Sequence, residues 1–445
     1  MDTGELQQQL TTLQTAFDMA GTINMEIFYW WCTALMITIH AGFLAYEMGA
    51  SRVKNALASG VKNILAFAFV IPTFFFFGWW IYLAFPTGIV PDTEGGAAGL
   101  PWSLSMGPNL ADNATGVFWA AFAMFAATTA SIMSGAVIER IRLSGFIILA
   151  VLLGSVVWIL GASWGWHPSG WLTTEWGFHD AAAAGCVHTI AGFFALGVLI
   201  NLGPRVGRFT ADGKVNDLRP HNLPMSLIGL MLIIVGFFGF LGGCIIYVNG
   251  DQWVTIYNTP ATLSAFAFNT LMGCTGGIIG CYFVTRDPFW MMSGALVGII
   301  SAASGLDLYY PPLAFLIGFI GGCIVPFTNN LLIKLKIDDA VGAVAVHGVG
   351  GVWGVVAAGI FAAGYPNIEG PAISLGGQIA SGVVMILLGF VPGYVASFIL
   401  KQFKLLRTTH GAEVAGLDTA EIPVVAYPEG ASPPAAARAL PAAAE

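Results

Sequence analysis

Charged residues are scarce in this sequence, and their scarcity limits the class of protein. Asp, Glu, Lys and Arg make up 9% of the 445 residues, whereas roughly 25% is usual in a soluble domain. Hydrophobic residues make up 57%, and apolar runs of about 20 residues recur along the chain, as membrane-spanning helices require. A soluble enzyme is therefore excluded, and the sequence predicts an all-α integral membrane protein.

Motifs for several other functions are missing. The sparse Lys and Arg form no basic run, which excludes nucleic acid as a partner. The six cysteines all fall in apolar runs without metal-ligand spacing, so we expect no disulfide and no metal. No ligand cluster or nucleophile motif indicates a cofactor or an enzymatic activity. The partners that remain are membrane lipid and small molecules.

The apolar runs predict eleven membrane-spanning helices. They cover residues 25–50, 63–84, 115–138, 143–165, 179–202, 224–248, 259–285, 289–303, 313–333, 340–363 and 376–400. We therefore expect an N-terminal segment outside the membrane over 1–24, an eleven-helix domain over 25–407, and a C-terminal tail or linker over 408–445.

Every second loop lacks Lys and Arg. If the loop between the first two spans is cytoplasmic, all 16 basic residues lie on the cytoplasmic side, as the positive-inside rule requires. The prediction is a multi-pass protein of the cell (inner) membrane, with its N-terminus outside and its C-terminus in the cytoplasm.

Two spans contain the same pattern of ionisable residues, which are functional candidates because their burial in a membrane is unfavourable. In the fifth span Asp180 is followed eight residues later by His188, and in the tenth span Asp339 is followed eight residues later by His347. A Gly follows each His after four more residues. These two spans cross the membrane in opposite directions, so the pattern is an inverted repeat.

The repeat predicts where the histidines meet. Eight residues at ~1.5 Å each carry a His about 12 Å into a hydrocarbon core of ~30 Å, so both reach the midplane from opposite faces. Spans one to five and six to ten then form inverted five-helix repeats, with the eleventh helix added. Transporter sites lie at such a repeat interface.

Each of these residues has a structural alternative. Two imidazoles in an apolar passage are expected to be neutral and able to bind a small polar molecule or relay a proton, but each His could instead only bond a neighbouring helix. Asp338 and Asp339 are interpreted as helix caps. For Asp180, a cap and an electrostatic role near an outer cation site remain equal alternatives.

Several stretches resemble the ammonium transporter (Amt/Mep/Rh) family. They are DDAVGAVAVHGVGGVWG at 338–354, HNLPM with GFFGFLGG within 221–243, GAVIERIR at 135–142 and GLDTAE at 416–421. The resemblance extends over about residues 25–427. It implies a homotrimer in which each subunit has its own pore, a two-histidine centre, stacked Phe gates and an outer cation site walled by Trp and Phe.

The resemblance also assigns site residues in this chain. They are the paired His188 and His347, the family's Asp at Asp180, the gates Phe125 and Phe240, the outer-site Trp166 with Trp164 as the competing alignment, and Cys244 where the outer site often has Ser.

The chain departs from the family pattern at the outer site. Ala121 stands where a second Phe is frequent, and Leu241 and Cys244 replace an Asn and a Ser. We therefore expect an outer cage that is poorer in aromatic rings and hydrogen bonds. His167 and His40 are also unusual, and a structural role is the preferred interpretation of His40.

Two functions follow from the resemblance. The preferred hypothesis is a trimeric transporter or channel for ammonium or ammonia. The alternative is an ammonium sensor that signals through its C-terminal tail to a cytoplasmic regulatory protein or a fused output domain such as a histidine kinase. The altered cage and the linker-like end PPAAARALPAAAE motivate this alternative.

Overall fold

The computed structural model describes residues 3–107, 113–248 and 252–427 as a bundle of helices. Ten of the described helices are long and apolar enough to cross a membrane, and one further apolar helix is shorter, which confirms a helical membrane protein. They are α1 (Thr3–Ala50), α2 (Val53–Ala84), α3 (Asn113–Ala136), α4 (Leu143–Trp166), α5 (Ala184–Leu202), α6 (Leu223–Gly242), α7 (Leu263–Val284), the shorter α8 (Pro288–Ala303), α9 (Pro311–Lys334), α10 (Val344–Phe361) and α11 (Leu375–Gln402).

Local capping sets where several helices begin. The side chain of Asn222 accepts from the amide of Met225 at the start of α6, and Ser374 does the same for Gly377 at the start of α11. Asp287 caps α8 and is followed by a proline in the first turn, where a missing N–H leaves no backbone partner unsatisfied. These caps explain why α6 and α8 begin within a residue of the predicted spans.

The first helix is longer than the predicted span. It begins at Thr3 and continues without interruption to Ala50 over 48 residues, so residues 3–24 extend α1 beyond the apolar run. Threonine hydroxyls along this extension bond back to carbonyl oxygens four residues earlier, as at Thr11 and Thr15. The sequence GELQQQLTTLQTAF contains good helix formers and no proline, which accounts for the continuous helix.

A small sheet replaces the predicted end of the sixth span. Strand β1 (Ile245–Val248) pairs antiparallel with β2 (Gln252–Thr255), and β2 pairs antiparallel with β3 (Pro260–Ala261). The helix stops at Gly242, so the prediction of a span to residue 248 was wrong. Two glycines end the helix, and the β-branched residues that follow favour an extended chain.

Helices pack backbone to backbone at glycines, which number 57 in the 445 residues and allow such close approach in membrane proteins. A Cβ added at Gly277 in α7 would lie 2.0 Å from the backbone oxygen of Gly294 in α8. Only glycine fits at such a contact. The backbones of these two helices are therefore in direct contact.

A network of ion pairs joins several loops at one end of the bundle. Arg205, which follows α5, makes a bidentate bond to Asp338, which precedes α10, so these two helices run antiparallel. Glu139 pairs with Arg52, 2.5 Å away, and with Arg205, 3.9 Å away. Burial alone would raise the pKa of Asp338, but the Arg140 and Arg205 guanidiniums hold this pKa well below its usual range.

The part of the tail that is described lies against the same end. After α11 the short helices His410–Ala415 and Leu417–Ala420 contact the chain that follows α1. The Asp418 carboxylate accepts from the amides of Leu57 and Ala58 at 3.2 and 2.8 Å. Residues 428–445, which include the whole linker-like end PPAAARALPAAAE, lie outside the described residues.

Candidate functional site

Each histidine of the inverted repeat lies on a π-helical turn that a carboxylate organises. The turn Ala184–Thr189 begins α5 and carries His188. Both carboxylate oxygens of Asp180 accept hydrogen bonds shorter than 3 Å. One accepts from the amides of Gly185 and Cys186, and the other accepts from the hydroxyl of Ser304. Such single π-turns are frequent at functional sites. The structure thus favours the capping interpretation of Asp180.

The second repeat has the same construction. The π-helical turn Val344–Val349 begins α10 and carries His347, and Asp339 accepts from the amides of Gly342 and Val344 at 3.0 and 2.7 Å. Asp339 is the cap that was predicted. Asp338 is not a helix cap, because its carboxylate accepts hydrogen bonds from the guanidinium and the backbone amide of Arg205.

Glycines bring the two helices into direct contact beside the histidines. A Cβ added at Gly192 would lie 2.1 Å from the amide nitrogen of Gly348, and one added at Gly351 would lie 2.4 Å from the carbonyl oxygen of Ala184. Any side chain at these positions would separate α5 from α10. The glycine that follows each His in the repeat therefore allows α5 and α10 to approach each other closely.

The two imidazoles meet through the same atom of each ring. His188 Nδ1 and His347 Nδ1 are 3.0 Å apart, and the ring centroids are 5.1 Å apart. The exposed fractions of the two residues are 2% and 6%. A hydrogen bond needs one donor and one acceptor, so a single proton lies between the two rings. Nε2 is the nitrogen that each ring keeps for another partner.

Phenylalanine rings pack against one side of the histidine pair. Phe240 stacks on His188 with ring centroids 5.9 Å apart, and Phe125 meets Phe240 edge to face at 4.5 Å. Phe237, which was not predicted, also lies 5.9 Å from His188. The structure therefore brings both predicted gate residues next to the histidines.

Trp166 rather than Trp164 lies beside the gate. The ring of Trp166 is 5.8 Å from Phe125, and its Nε1 donates to the backbone oxygen of Asp180 at 2.7 Å. Trp164 instead packs on Trp171 and donates to the backbone oxygen of Gly88. Between the two alignments, the geometry favours Trp166.

One aromatic ring beside these residues was not predicted. Phe122, one residue after Ala121, has its ring 5.5 Å from Phe125 and 6.2 Å from Trp166. Tyr82 lies 4.9 Å from Phe122. These rings pack against the residues that the resemblance assigns to the outer site, and a cage poorer in aromatic rings at Ala121 stays a prediction.

The expected shortage of hydrogen bonds remains consistent with the structure. Cys244 is fully buried, and its thiol bonds to the carbonyl oxygen of Phe240 one helical turn earlier at 3.4 Å. Leu241 is buried and apolar. His167 packs on Tyr82, and burial lowers the pKa of His167 to about 4, so it is uncharged at neutral pH.

Two further buried histidines lie apart from the pair. His40 packs on Phe67, and neither of its ring nitrogens has a partner among the described residues. His179, which the sequence analysis did not single out, bonds to Asp307 at 3.0 Å and to Tyr257 at 3.2 Å. Its position next to Asp180 was the signal that could have identified it.

An inverted pair of π-turns that joins two histidines inside a helical membrane bundle is the construction of a membrane transporter. The sequence profile of the Ammonium Transporter Family matches residues 27–427. The ammonium transporter Amt1 of Methanocaldococcus jannaschii is 32% identical over 418 residues, which cover 93% of this chain and 100% of that protein. Amt2 of Archaeoglobus fulgidus is 30% identical over 424 residues, covering 89% and 86%.

Solved structures agree with this result. The structure of a protein named Sensor Amt Protein has a TM-score of 0.79 and 26% identity, and the match covers 91% of this chain and 99% of that one. The crystal structure of Mep2 from Candida albicans has a TM-score of 0.68 at 24% identity, with 87% and 86% covered, and it supports the fold. The chain therefore belongs to the ammonium transporter family, which confirms the family resemblance and the prediction of a transporter rather than an enzyme.

Proposed function

We propose that this chain moves ammonium nitrogen across the membrane through the passage that contains His188 and His347. The contact of 3.0 Å between their Nδ1 atoms is the observation that carries the proposal. A bonded pair of imidazoles offers a small polar molecule both a donor and an acceptor in an apolar passage, without a fixed ion. A structural bond alone would not need two repeat-related π-turns.

Ammonium is recognised on the side of Trp166, Phe125 and Phe122. A cation over these ring faces gains about 1–2 kcal/mol, and Cys244 completes the wall where a hydroxyl would bind more strongly. The rings of Phe125 and Phe240 are in contact, so both must rotate before ammonia passes. Ammonium leaves its proton at this point because the apolar passage disfavours the charge.

The histidines receive ammonia after the gate. The nitrogen of ammonia donates to one free Nε2 and accepts from the other, so the pair replaces part of its hydration. The proton of ammonium binds to the Nε2 of His188 that carries no hydrogen, the hydrogen in the Nδ1 contact passes to His347, and His347 Nε2 then gives up its own hydrogen. Asp180 is a positioning residue in this scheme, because its oxygens already hold the turn that carries His188.

The gate lies outside and the ionic network lies inside. The basic residues of the loops after α1, α3 and α5, and of the tail, meet in one network around Glu139, Asp338 and Glu413. The positive-inside rule assigns this end to the cytoplasm. The N-terminus is then outside the cell (inner) membrane, residues 25–407 form the transport domain, and residues 408–445 form a cytoplasmic tail.

The chain assembles as a homotrimer with one passage per subunit. Family membership supports the homotrimer, and the position of the whole site within one chain supports one passage per subunit: His188 contacts His347 and Phe240, and Phe240 contacts Phe125. Cytoplasmic regulation acts at the tail, where Asp418 binds the first turns of α2 and Glu413 binds the loop after α5.

Ammonium sensing is a second function that one observation favours. The Lys54 ammonium donates to the carbonyl oxygen of Glu413 at 3.0 Å, and Asp418 caps the first turn of α2. A movement of α2 on ligand binding would therefore reach the tail directly. The similarity to the structure named Sensor Amt Protein, which extends over 91% of this chain, also supports this function.

Ammonium-evoked currents in proteoliposomes test the two functions. The purified wild-type protein should give an inward current on a step of ammonium concentration, and no current on an equal step of sodium. Absence of a current from correctly assembled protein would contradict transport. A fluorophore on the tail at Glu421→Cys that responds to ammonium without a current would support sensing.

A further inference from the structure

A buried carboxylate lies on the inner side of the histidine pair, and the proposed transport scheme does not use it. Glu47 is in the last turn of α1, and its relative exposure is 0%. The backbone oxygen of Glu47 accepts from the amide of Ser51 at 3.0 Å. Glu47 therefore lies one helical turn before the loop that follows α1, at the end of the bundle that holds the ion pairs (the ionic end). An ionisable group at this depth is unfavourable unless it is paired or functional.

Only half of this carboxylate is satisfied. The Ser134 hydroxyl, which also lies 3.1 Å from Asn63 Oδ1, bonds to Glu47 Oε1. Glu47 Oε2 is buried and has no hydrogen-bond partner among the described residues. Lys62 is also buried, but its ammonium donates to the backbone oxygen of Ser134 at 3.1 Å. One carboxylate oxygen is therefore left for a partner that is not a protein group.

The carboxylate and the histidine pair share an internal cavity. Glu47 and His347 both line it, and Phe43, Leu296 and Val346 form apolar parts of its wall. The cavity has a volume of about 20 Å³. About 10–15 Å³ by this measure accommodates one water molecule, so the cavity has room for one bridging water.

The inner end of this cavity is closed by a stacked pair of rings. Tyr46 stacks on Phe289 with ring centroids 5.5 Å apart, and its hydroxyl lies 3.4 Å from the backbone oxygen of Val341. Phe289 also lines an open pocket at the ionic end, together with Ala50 and Asp339. Tyr46 lines the cavity and Phe289 lines the pocket, so the stacked pair lies between the two spaces.

We propose that Glu47 accepts the proton that leaves the histidine pair toward the ionic end, through one water molecule held in this cavity. This inference rests on the proposed transport function and assigns it a further residue. The water gives one hydrogen to Glu47 Oε2 and takes the hydrogen of His347 Nε2. One N–H bond of His347 and one O–H bond of the water break, one O–H bond forms on Glu47 and one forms on the water, and no electrons are transferred.

The surroundings of Glu47 suit a reversible acceptor. The Ser134 hydroxyl is an uncharged partner of one carboxylate oxygen, and the Lys62 ammonium of α2 lies on the backbone oxygen of the same serine. Because Lys62 bonds to Ser134 rather than to Glu47, the carboxylate is not locked in an ion pair. After protonation it is a neutral acid, which releases its proton when Tyr46 and Phe289 part and solvent enters.

Infrared difference spectroscopy tests the proton acceptor independently of transport. Addition of ammonium to the reconstituted wild type should produce the carbonyl stretch of a protonated carboxylic acid, and Glu47→Gln should lack this band. A wild type without the band, or a Glu47→Gln variant that retains it, would overturn the proposal. A missing current with the band present would instead contradict the transport function alone.

Currents measure the consequence for transport. Glu47→Gln should reduce the ammonium-evoked current by at least about tenfold, since a positioned proton acceptor contributes about 10²–10⁴ in rate. Glu47→Asp, which keeps a carboxylate, should restore part of the current. His40→Gln changes another buried group on α1 outside this cavity and should leave the current unchanged. A Glu47→Gln current within twofold of wild type would overturn the proposal, and if this variant fails to fold, the wild-type spectrum and Glu47→Asp decide.

Discussion

Trp166 Nε1 donates a hydrogen bond of 2.7 Å to the backbone oxygen of Asp180, so the aromatic rings beside Phe125 are connected to the turn that carries His188. The Asp180 carboxylate in turn holds the amides of Gly185 and Cys186, and His188 follows two residues later. A shift of the tryptophan is therefore transmitted through one residue to the histidine pair.

Asp180→Asn should reduce transport through this connection. The amide oxygen can still accept from Gly185 and Cys186, and the NH₂ group then donates to the Ser304 hydroxyl, which loses its acceptor. The negative charge that strengthens all three bonds is removed, and because hydrogen bonds to charged groups contribute about 1.5–3 kcal/mol against about 0.5–1.5 kcal/mol for neutral ones, the free energy of unfolding should fall by about 1 kcal/mol or more. We expect a current reduced about tenfold or more and a lower melting temperature in detergent. The control is Asp92→Asn, at an exposed cap, and equal behaviour of both variants would contradict a positioning role.

Gly192→Ala should separate the two histidines. The added methyl group would lie 2.1 Å from the amide nitrogen of Gly348, and overpacking of this kind lowers the free energy of unfolding by about 1–3 kcal/mol. The current should fall, and thermal unfolding should occur at lower temperature. Gly116→Ala is the matched control, because nothing lies within 4 Å of its Cβ. A Gly192→Ala protein as active and stable as the control would show that the helices tolerate separation.

Acid should weaken the ionic end of the bundle through Asp338. The Arg140 and Arg205 guanidiniums outweigh the effect of burial and hold the pKa of this carboxyl below its usual range. The pair therefore stabilises the fold fully above the ordinary pKa of Asp, about 3.9, and this stabilisation is lost as the pH falls through the lower native pKa. Thermal unfolding of wild type and Asp338→Asn at pH 7 and pH 3 should show the larger acid-induced loss in the wild type. Equal losses in the two proteins would contradict this role of Asp338.

The contact between the two histidines was predictable from the sequence because helical rise alone gives the depth of each residue. Helical rise and the spacing from Asp180 to His188, repeated from Asp339 to His347, predict two histidines at the same depth. The contact through Nδ1 depends on π-helical turns and on glycine approach, which spacing alone does not reveal. The strand Ile245–Val248 was missed for a related reason, since a short apolar run after a helix is compatible with either structure.

Two other residues were missed despite a visible signal. Glu47 lies inside the first predicted span, where any carboxylate is a functional candidate, but no repeat or motif connects it to the histidines. Phe122 was missed because the resemblance points to Ala121, and only packing shows which of two neighbouring positions faces the cage. Backbone direction and side-chain packing are tertiary properties, so one sequence without its fold does not resolve them.

His188→Asp and His347→Asp should each loosen selectivity against metal cations. The neutral imidazole pair offers an ion no compensating charge, whereas a carboxylate at the same depth stabilises a cation in the passage. We expect the ratio of ammonium to potassium current to fall at least about tenfold, which corresponds to about 1.4 kcal/mol. Currents in separate ammonium and potassium gradients measure this ratio. Unchanged transport and selectivity in both variants would indicate that the pair is a structural contact only.

The affinity of the outer site should depend on its hydrogen bonds more than on its rings. Phe122 already supplies the ring that Ala121 lacks, and Ala121 is fully buried, so Ala121→Phe would clash rather than complete the cage. Cys244→Ser should instead tighten ammonium binding, because a hydrogen bond to a charged group contributes about 1.5–3 kcal/mol, or tenfold and more in the half-saturating concentration.

Trp166 variants separate the ring face from the hydrogen bond to Asp180. Trp166→Leu should weaken apparent ammonium affinity, since it removes a cation–π contact of about 1–2 kcal/mol together with the bond to the Asp180 carbonyl. Trp166→Phe keeps a ring face and loses only the bond, so it should retain more affinity while lowering the maximal current. Half-saturating concentrations and maximal currents of both variants distinguish the two effects. If Cys244→Ser and Trp166→Leu both bind ammonium as the wild type does, the ligand is recognised deeper, at His188 and His347, and sensing becomes the better account of this chain.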